Sequence, residues 1–181
     1  MAEEKEKKVE VIETDKPLNL AKRVTIRNTT NIDTYFRQVL KSADAKVAKK
    51  GTMSLSVEEI LAQCDNGNPS FVGHNRDGSH ASLYIEDAEV RKYLGFDTDK
   101  SKQEVIDEQA ILQIFDASSI SAFANQLKEK ILTMGEKQTL RDVIASDKVD
   151  SHQKIELATA YLRGETLEVA KGKPGRPKKS E

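Results

Sequence analysis

Five cationic residues lie within residues 171–179, and no other stretch of the sequence indicates one kind of binding chemistry so specifically. Pro174 and Pro177 exclude a helix here because proline fixes φ and lacks an amide hydrogen. Gly175 has no side chain, so the backbone can lie close to a surface. An extended basic ribbon of this kind suits the phosphates of a nucleic acid, because neutralising them releases counterions. The cations that would do so are Lys171, Lys173, Arg176, Lys178 and Lys179.

The segment Gly175-Arg176-Pro177, with basic residues on both sides, resembles the core of the AT-hook family. AT hooks lie extended in the minor groove of AT-rich DNA. The resemblance implies that Arg176 enters that groove, where negative potential is concentrated and a guanidinium loses less hydration than an ammonium. Pro174 stands where the family usually has a second arginine. The DNA-binding residues that we predict are Lys171, Lys173, Gly175, Arg176, Pro177, Lys178 and Lys179.

The charge of the chain is distributed unevenly. Residues 1–170 carry 24 Lys and Arg against 29 Asp and Glu, a net charge of −5, whereas residues 171–179 carry +5. An acidic body repels DNA and a basic tail attracts it, so we expect the tail to make any contact with DNA. A tail that only keeps the protein soluble is the alternative interpretation of the same residues.

The body of the chain has no sequence pattern of a DNA-reading helix or an enzyme. Each candidate basic helix face includes a carboxylate, as where Asp142 follows Arg141. His74, Asp77 and His80 lie close in sequence, but their spacing is not that of a helical metal site and the glycines around them indicate a surface turn. Glycine-rich phosphate loops and nucleophile elbows are absent from the sequence. We therefore predict no enzymatic activity, no metal and no other cofactor.

The composition limits the core and the compartment. Only 5% of the residues are aromatic and none is tryptophan, which indicates an aliphatic core and argues against binding by stacking on bases. Cys64 is the sole cysteine of the sequence, so an intrachain disulfide is excluded and a reducing compartment fits. The charged N-terminus has no apolar signal core, and no run approaches the ~20 apolar residues of a membrane span. We expect no membrane contact and a protein that is cytosolic or packaged.

Alternation and turn residues predict strands in the N-terminal half, at residues 9–12, 22–28 and 80–86. Residues 32–40 fit both helix and strand, and their aromatic and β-branched content after a turn favours a strand. Residues 45–48 and 52–55 flank Lys50-Gly51, which predicts a hairpin.

Capping residues and apolar spacing predict helices from residue 56 onwards. Ser56 with Glu59, and Ser101 with Glu104, each form the pattern of a capping box. The first box should begin a helix that runs to Cys64 and places this cysteine in the core. Further helices should follow the caps Asp87 and Ser118, the second of them ending before Gly135, and two more should contain residues 140–144 and 155–162.

These elements predict an α+β fold. It has a small antiparallel β-rich domain over residues 9–95 and a helical bundle over residues 96–164. Residues 1–8 are expected to be a disordered N-terminus, and residues 165–181 a linker with the basic tail.

The stretch from about residue 22 to residue 164 resembles small accessory proteins encoded among the head genes of tailed phages. The elements that carry this resemblance are residues 24–28, 56–60 and 79–85. It implies a non-enzymatic, capsid-associated protein of the virion or host cytoplasm, whose body contacts other virion or host proteins, with an oligomer possible. The alternatives are a cytosolic AT-hook regulator or nucleoid-associated protein, and a protein-interaction module with a solubilising tail.

Overall fold

The computed structural model describes residues 17–99 and 101–167. It confirms the predicted α+β class, with antiparallel sheets in the N-terminal half and helices in the C-terminal half. The strands are β1 Arg23–Asn28, β2 Thr34–Arg37, β3 Asp44–Val47, β4 Thr52–Ser56 and β5 Leu83–Ile85. The helices are α1 Val57–Asp65, α2 Pro69–Val72, α3 Ala88–Tyr93, α4 Glu108–Phe115, α5 Ile120–Lys130, α6 Met134–Ala145 and α7 His152–Leu162. The predictions for residues 1–8, 9–12 and 171–179 lie outside the described residues.

β1 is the central strand of a three-stranded antiparallel sheet with the order β4-β1-β5. Its side chains alternate between exposed and buried, as the sequence predicted, and Val24, Ile26 and Asn28 lie on the buried side. A polar residue therefore ends the buried face of β1. The pattern is typical of a sheet with one face on the core, except for the asparagine, which needs hydrogen-bond partners there.

The predicted hairpin around Lys50 is wrong. β3 pairs with β2, with Ala45 opposite Phe36, whereas β4 pairs with β1 in the other sheet. Lys50 has a positive φ of 54°, as a tight turn requires, but its amide donates to the carbonyl of Thr30 and the chain passes from one sheet to the other. The preference for a strand within residues 32–40 is confirmed by β2.

α1 begins as predicted at Ser56, but only half of the capping box is present. The Ser56 hydroxyl accepts from the amide of Glu59 at 3.3 Å. The Glu59 carboxylate accepts from the amides of Val39 and Leu40 at 2.7 and 3.0 Å. Burial alone would raise the pKa of Glu59, but these amides and a neighbouring glutamine side chain lower it below its usual value. Glu59 thus ties α1 to the loop after β2 instead of closing its own helix end.

The second predicted capping box, at Ser101 and Glu104, is wrong. α4 begins only at Glu108, and its N-cap is Asp107, whose side chain accepts from the amide of Ala110 at 3.0 Å. The amide of Gln103 instead donates to the side chain of Asp97 in the preceding loop. The predicted cap at Asp87 is confirmed, since Asp87 caps α3. The cap predicted at Ser118 lies one residue later, at Ser119, which caps α5.

α5 ends at Lys130, before Gly135 as predicted, and Gly135 belongs to the first turn of α6. Thr133 and Glu136 form a reciprocal capping box that begins α6, a pattern the sequence contains but the prediction missed. The backbone of Gly135 lies against Thr30 of the N-terminal half. A Cβ at residue 135 would come within 2.7 Å of the Thr30 methyl.

The buried hydrophobic side chains form two clusters, one within residues 24–96 and one within residues 106–167. An edge-on pair of rings, Phe36 and Phe71, lies in the first cluster, with centroids 5.1 Å apart. Cys64 packs partly buried against the same cluster, and burial raises the pKa of its thiol to about 12. Within the described part of the chain, no helix is both long and apolar enough to cross a membrane.

Candidate functional site

The predicted DNA-binding residues, within 171–179, lie outside the described residues. The description ends at Leu167, which is buried against the C-terminal hydrophobic cluster. Lys171 follows four residues later in the sequence. The last residue that the structure describes before the tail therefore packs on the helical half.

His74, Asp77 and His80, which the sequence groups on one loop, have separate surroundings. His74 is exposed and the Asp77 carboxylate accepts from the amide of Ser79 at 2.9 Å. The His80 ring is buried, with Nδ1 2.7 Å from Oε1 of Glu136. Among residues 17–99 and 101–167, no group of three or more His, Cys, Asp or Glu side chains could hold a metal ion.

The His80–Glu136 pair joins the two halves of the molecule. Only 8% of the His80 side chain and 4% of the Glu136 side chain are exposed. The second oxygen of Glu136 accepts from the amides of Leu132 and Thr133 at 2.7 and 2.8 Å. One carboxylate thus begins α6 and also binds the loop before β5. The capping-box pattern could have located Glu136 from the sequence, but its partner 56 residues away could not be inferred.

A second connection between the halves contains Asp142, six residues further along α6. Its carboxylate accepts from the Asn31 side chain at 2.7 Å and from the Gln138 side chain at 2.9 Å. Both carboxylates of α6 therefore point towards the N-terminal half. From the sequence, Asp142 and Arg141 are interpreted as parts of one helix face of mixed charge. The contacts show instead that the Asp142 carboxylate turns towards the N-terminal half.

A groove of about 410 Å³ lies between β1 and the start of α4. At its rim the Glu108 carboxylate binds Lys50 from the N-terminal half, at 2.5 Å, and Lys148 from the loop after α6. The hydrogen bonds from Lys148 and Lys50 lower the pKa of Glu108 to about 2. The remaining lining includes Arg27, Asn28, Thr29, Asp107, Gln109 and Leu112.

Acid should weaken this connection. The unfolded carboxyl of Glu108 takes up its proton at a higher pH than the folded one, so the contribution to stability is complete above about pH 5 and is lost as the pH falls towards 2. We expect the free energy of unfolding of Glu108→Gln to fall less steeply than that of the wild type over this range. The effect should be modest and should shrink in high salt, because the groups are partly exposed.

Urea titrations at several pH values would measure the difference. Glu104→Gln, which removes the exposed partner of Lys130, is the matched control. If the wild type and Glu108→Gln have parallel pH profiles, the two lysines do not stabilise the ionised carboxylate.

Another groove, of about 250 Å³, lies between α6 and α7. It is lined by Arg141, Ile144, Thr159, Leu162 and Arg163. Its apolar floor and two guanidinium groups make it chemically different from the groove beside β1.

Comparisons with models of protein families, with curated proteins and with solved structures found no match to this chain.

Proposed function

We propose that this protein is a non-enzymatic accessory component of a tailed-phage head whose basic tail contacts packaged DNA. The observation that carries the proposal is the sequence Gly175-Arg176-Pro177 within a segment of charge +5, which follows 170 residues of net charge −5. The segregation of charge favours a tail that reaches a polyanion while the body stays away from it. Burial of Leu167 against the helical half supports this arrangement, since this residue lies only four positions before Lys171 in the sequence.

Protein partners for the body are supported by exposed apolar side chains within one segment of the N-terminal half. Four large side chains in and around β2 are 40–67% exposed: Ile32, Tyr35, Val39 and Leu40. Single exposed apolar residues are ordinary on a protein surface, and four of them within nine residues provide apolar area that a protein partner could cover. We propose that this face of the body contacts other virion or host proteins.

A cytosolic regulator or nucleoid-associated protein that uses the same hook is the second candidate function, and the basic tail favours it equally. The two differ in location. Mass spectrometry of phage particles purified from a culture that carries this gene should detect the protein at a fixed copy number per particle. Its absence from the particles, together with recovery in the cytosolic fraction, would favour the regulator instead.

The role of Arg176 in DNA binding can be separated from simple charge attraction. If the guanidinium enters the minor groove, Arg176→Lys should cost on the order of 1 kcal/mol of binding free energy and remove a preference for AT-rich duplexes. The variant keeps the charge, so a tail that acts only as a polycation would bind as the wild type does. Titration of the full chain against AT-rich and GC-rich duplexes at two salt concentrations would measure both properties.

Lys178→Ala is the matched control for this experiment. It should weaken binding to both duplexes evenly and lower the salt slope by roughly one, as expected for the loss of one phosphate contact. If the wild type binds AT-rich and GC-rich DNA equally and Arg176→Lys has no effect, the tail binds DNA by charge alone and does not recognise the minor groove.

A further inference from the structure

We propose that the groove between α6 and α7 is a second contact surface for the phosphate backbone of the duplex that the tail binds. This inference rests on the proposed function and adds a part of the body to the DNA-binding surface. The sequence alone assigned all contact with DNA to the tail. The basis for the proposal is the direction in which the charged side chains of α6 and α7 point.

The charges of α6 are separated onto two sides of the helix. Glu136 and Asp142 bind His80 and Asn31 of the N-terminal half. Lys137 and Arg141 lie on the side of α7. The Lys137 ammonium is 5.8 Å from the centre of the Tyr161 ring, and Arg141 lines the groove between the two helices. The two carboxylates are therefore turned away from the surface that the two cations share.

α7 contributes a cation at the other wall of the groove, opposite Arg141. Arg163 is the C-cap of α7, and its side chain is 69% exposed. It lies 3.7 Å from the carboxylate of Glu165, which is also exposed. Arg141 makes a long hydrogen bond of 3.4 Å to Gln138. Exposed contacts of this kind contribute little free energy, so both guanidinium groups can exchange them for a phosphate.

The groove and the tail are close to each other along the chain. Eight residues separate Arg163 from Lys171, a span of at most about 28 Å even when fully extended. One turn of duplex DNA is about 34 Å long. A duplex held by the tail is therefore close enough for its backbone to meet the groove. Because the body carries a net charge of −5, we expect the groove to add contacts to those of the tail without replacing them.

The test uses the full chain, with the double variant Arg141→Gln/Arg163→Gln. Two lost phosphate contacts should lower the salt slope of binding by about 1.8, equally for AT-rich and GC-rich duplexes. Arg37→Gln/Lys41→Gln removes two exposed cations from the N-terminal half and is the matched control, for which the slope should not change. Thermal unfolding of each variant would show that the fold is intact.

The outcomes distinguish this inference from the function on which it rests. The inference is overturned if the groove variant has the same salt slope as the wild type. This conclusion requires that neutralising the five cations of residues 171–179 still abolishes binding, which shows that the tail binds the duplex. Equal losses in the groove variant and in the Arg37/Lys41 control would also overturn it, because any two charges would then serve. A wild-type protein that binds neither duplex would refute the proposed function itself, and the inference with it.

Discussion

Asn28→Ala is expected to lower the free energy of unfolding by about 3 kcal/mol. Only 1% of Asn28 is exposed, at the end of the buried face of β1. Its amide nitrogen lies 2.8–3.2 Å from three carbonyl oxygens, those of Ile32, Val47 and Ala48. Its side-chain oxygen accepts from both the amide and the hydroxyl of Thr30, at 3.0 and 2.8 Å.

The physical reason for so large an effect is the number of groups that one side chain satisfies. Alanine would leave the buried amide of Thr30 without its acceptor and would remove one donor from the carbonyls of Ile32, Val47 and Ala48. The Ile32 and Ala48 carbonyls each keep a second donor, from the Thr30 hydroxyl and the Gly51 amide. A buried group left without a partner costs about 1–3 kcal/mol, with part of that cost relieved where water can enter. The same contacts hold the crossing between the two sheets. We therefore expect the loss of Asn28 to weaken both the turn after β1 and the end of β3.

Urea denaturation of the wild type and the variant would measure the effect. Asn19→Ala is the matched control, because the Asn19 side chain accepts a single hydrogen bond, from the amide of Ala21, at an exposed site. That change should stay within about 0.5 kcal/mol. Asn28→Asp keeps the acceptor but places a carboxylate beside three carbonyl oxygens, so it should also destabilise the fold. A stability of Asn28→Ala close to that of the wild type would show that the crossing does not depend on this side chain.

Features set by neighbouring residues could be predicted from the sequence. The alternation in β1, the strand within residues 32–40 and the cap of α3 at Asp87 each depend on contacts within a few residues, and the structure confirms them. The hairpin at Lys50 failed for the opposite reason. The local turn signal was correct, but hydrogen bonds to Thr30 and Asn28, about 20 residues earlier, decide which strands pair.

For the candidate DNA-binding surface too, only the part that depends on neighbouring residues could be predicted from the sequence. The tail could be identified from its own nine residues because its chemistry is local, and it stays a prediction. The groove between α6 and α7 could not be identified, since the sequence gives Arg141 and Asp142 as neighbours with opposite charges. Only the contact of Asp142 with Asn31, 111 residues away, turns the acid from the basic side of the helix. A mixed-charge helix in sequence can therefore have a basic face in the folded protein.

Gly135→Ala is expected to destabilise the protein by about 1–3 kcal/mol, although helix propensity alone predicts a gain of up to about 1 kcal/mol in a helix. An alanine Cβ would lie 2.7 Å from the Thr30 methyl group, closer than packed carbon atoms approach. Thr30 cannot easily move away, because it is buried and its hydroxyl donates to the Asn28 side chain at 2.8 Å. The cost should therefore appear as a strained contact between the two halves.

Thr30→Ser should rescue the Gly135→Ala variant, and the rescue identifies the cause. Serine keeps the hydroxyl and its hydrogen bonds but lacks the methyl, so the nearest remaining atom to the new Cβ is the Thr30 Cβ position, at 3.1 Å. In a double-mutant cycle measured by urea denaturation, the two changes together should cost at least about 1 kcal/mol less than the sum of the single changes. Additive effects would mean that the loss of stability in Gly135→Ala arises within α6 and not at its contact with Thr30.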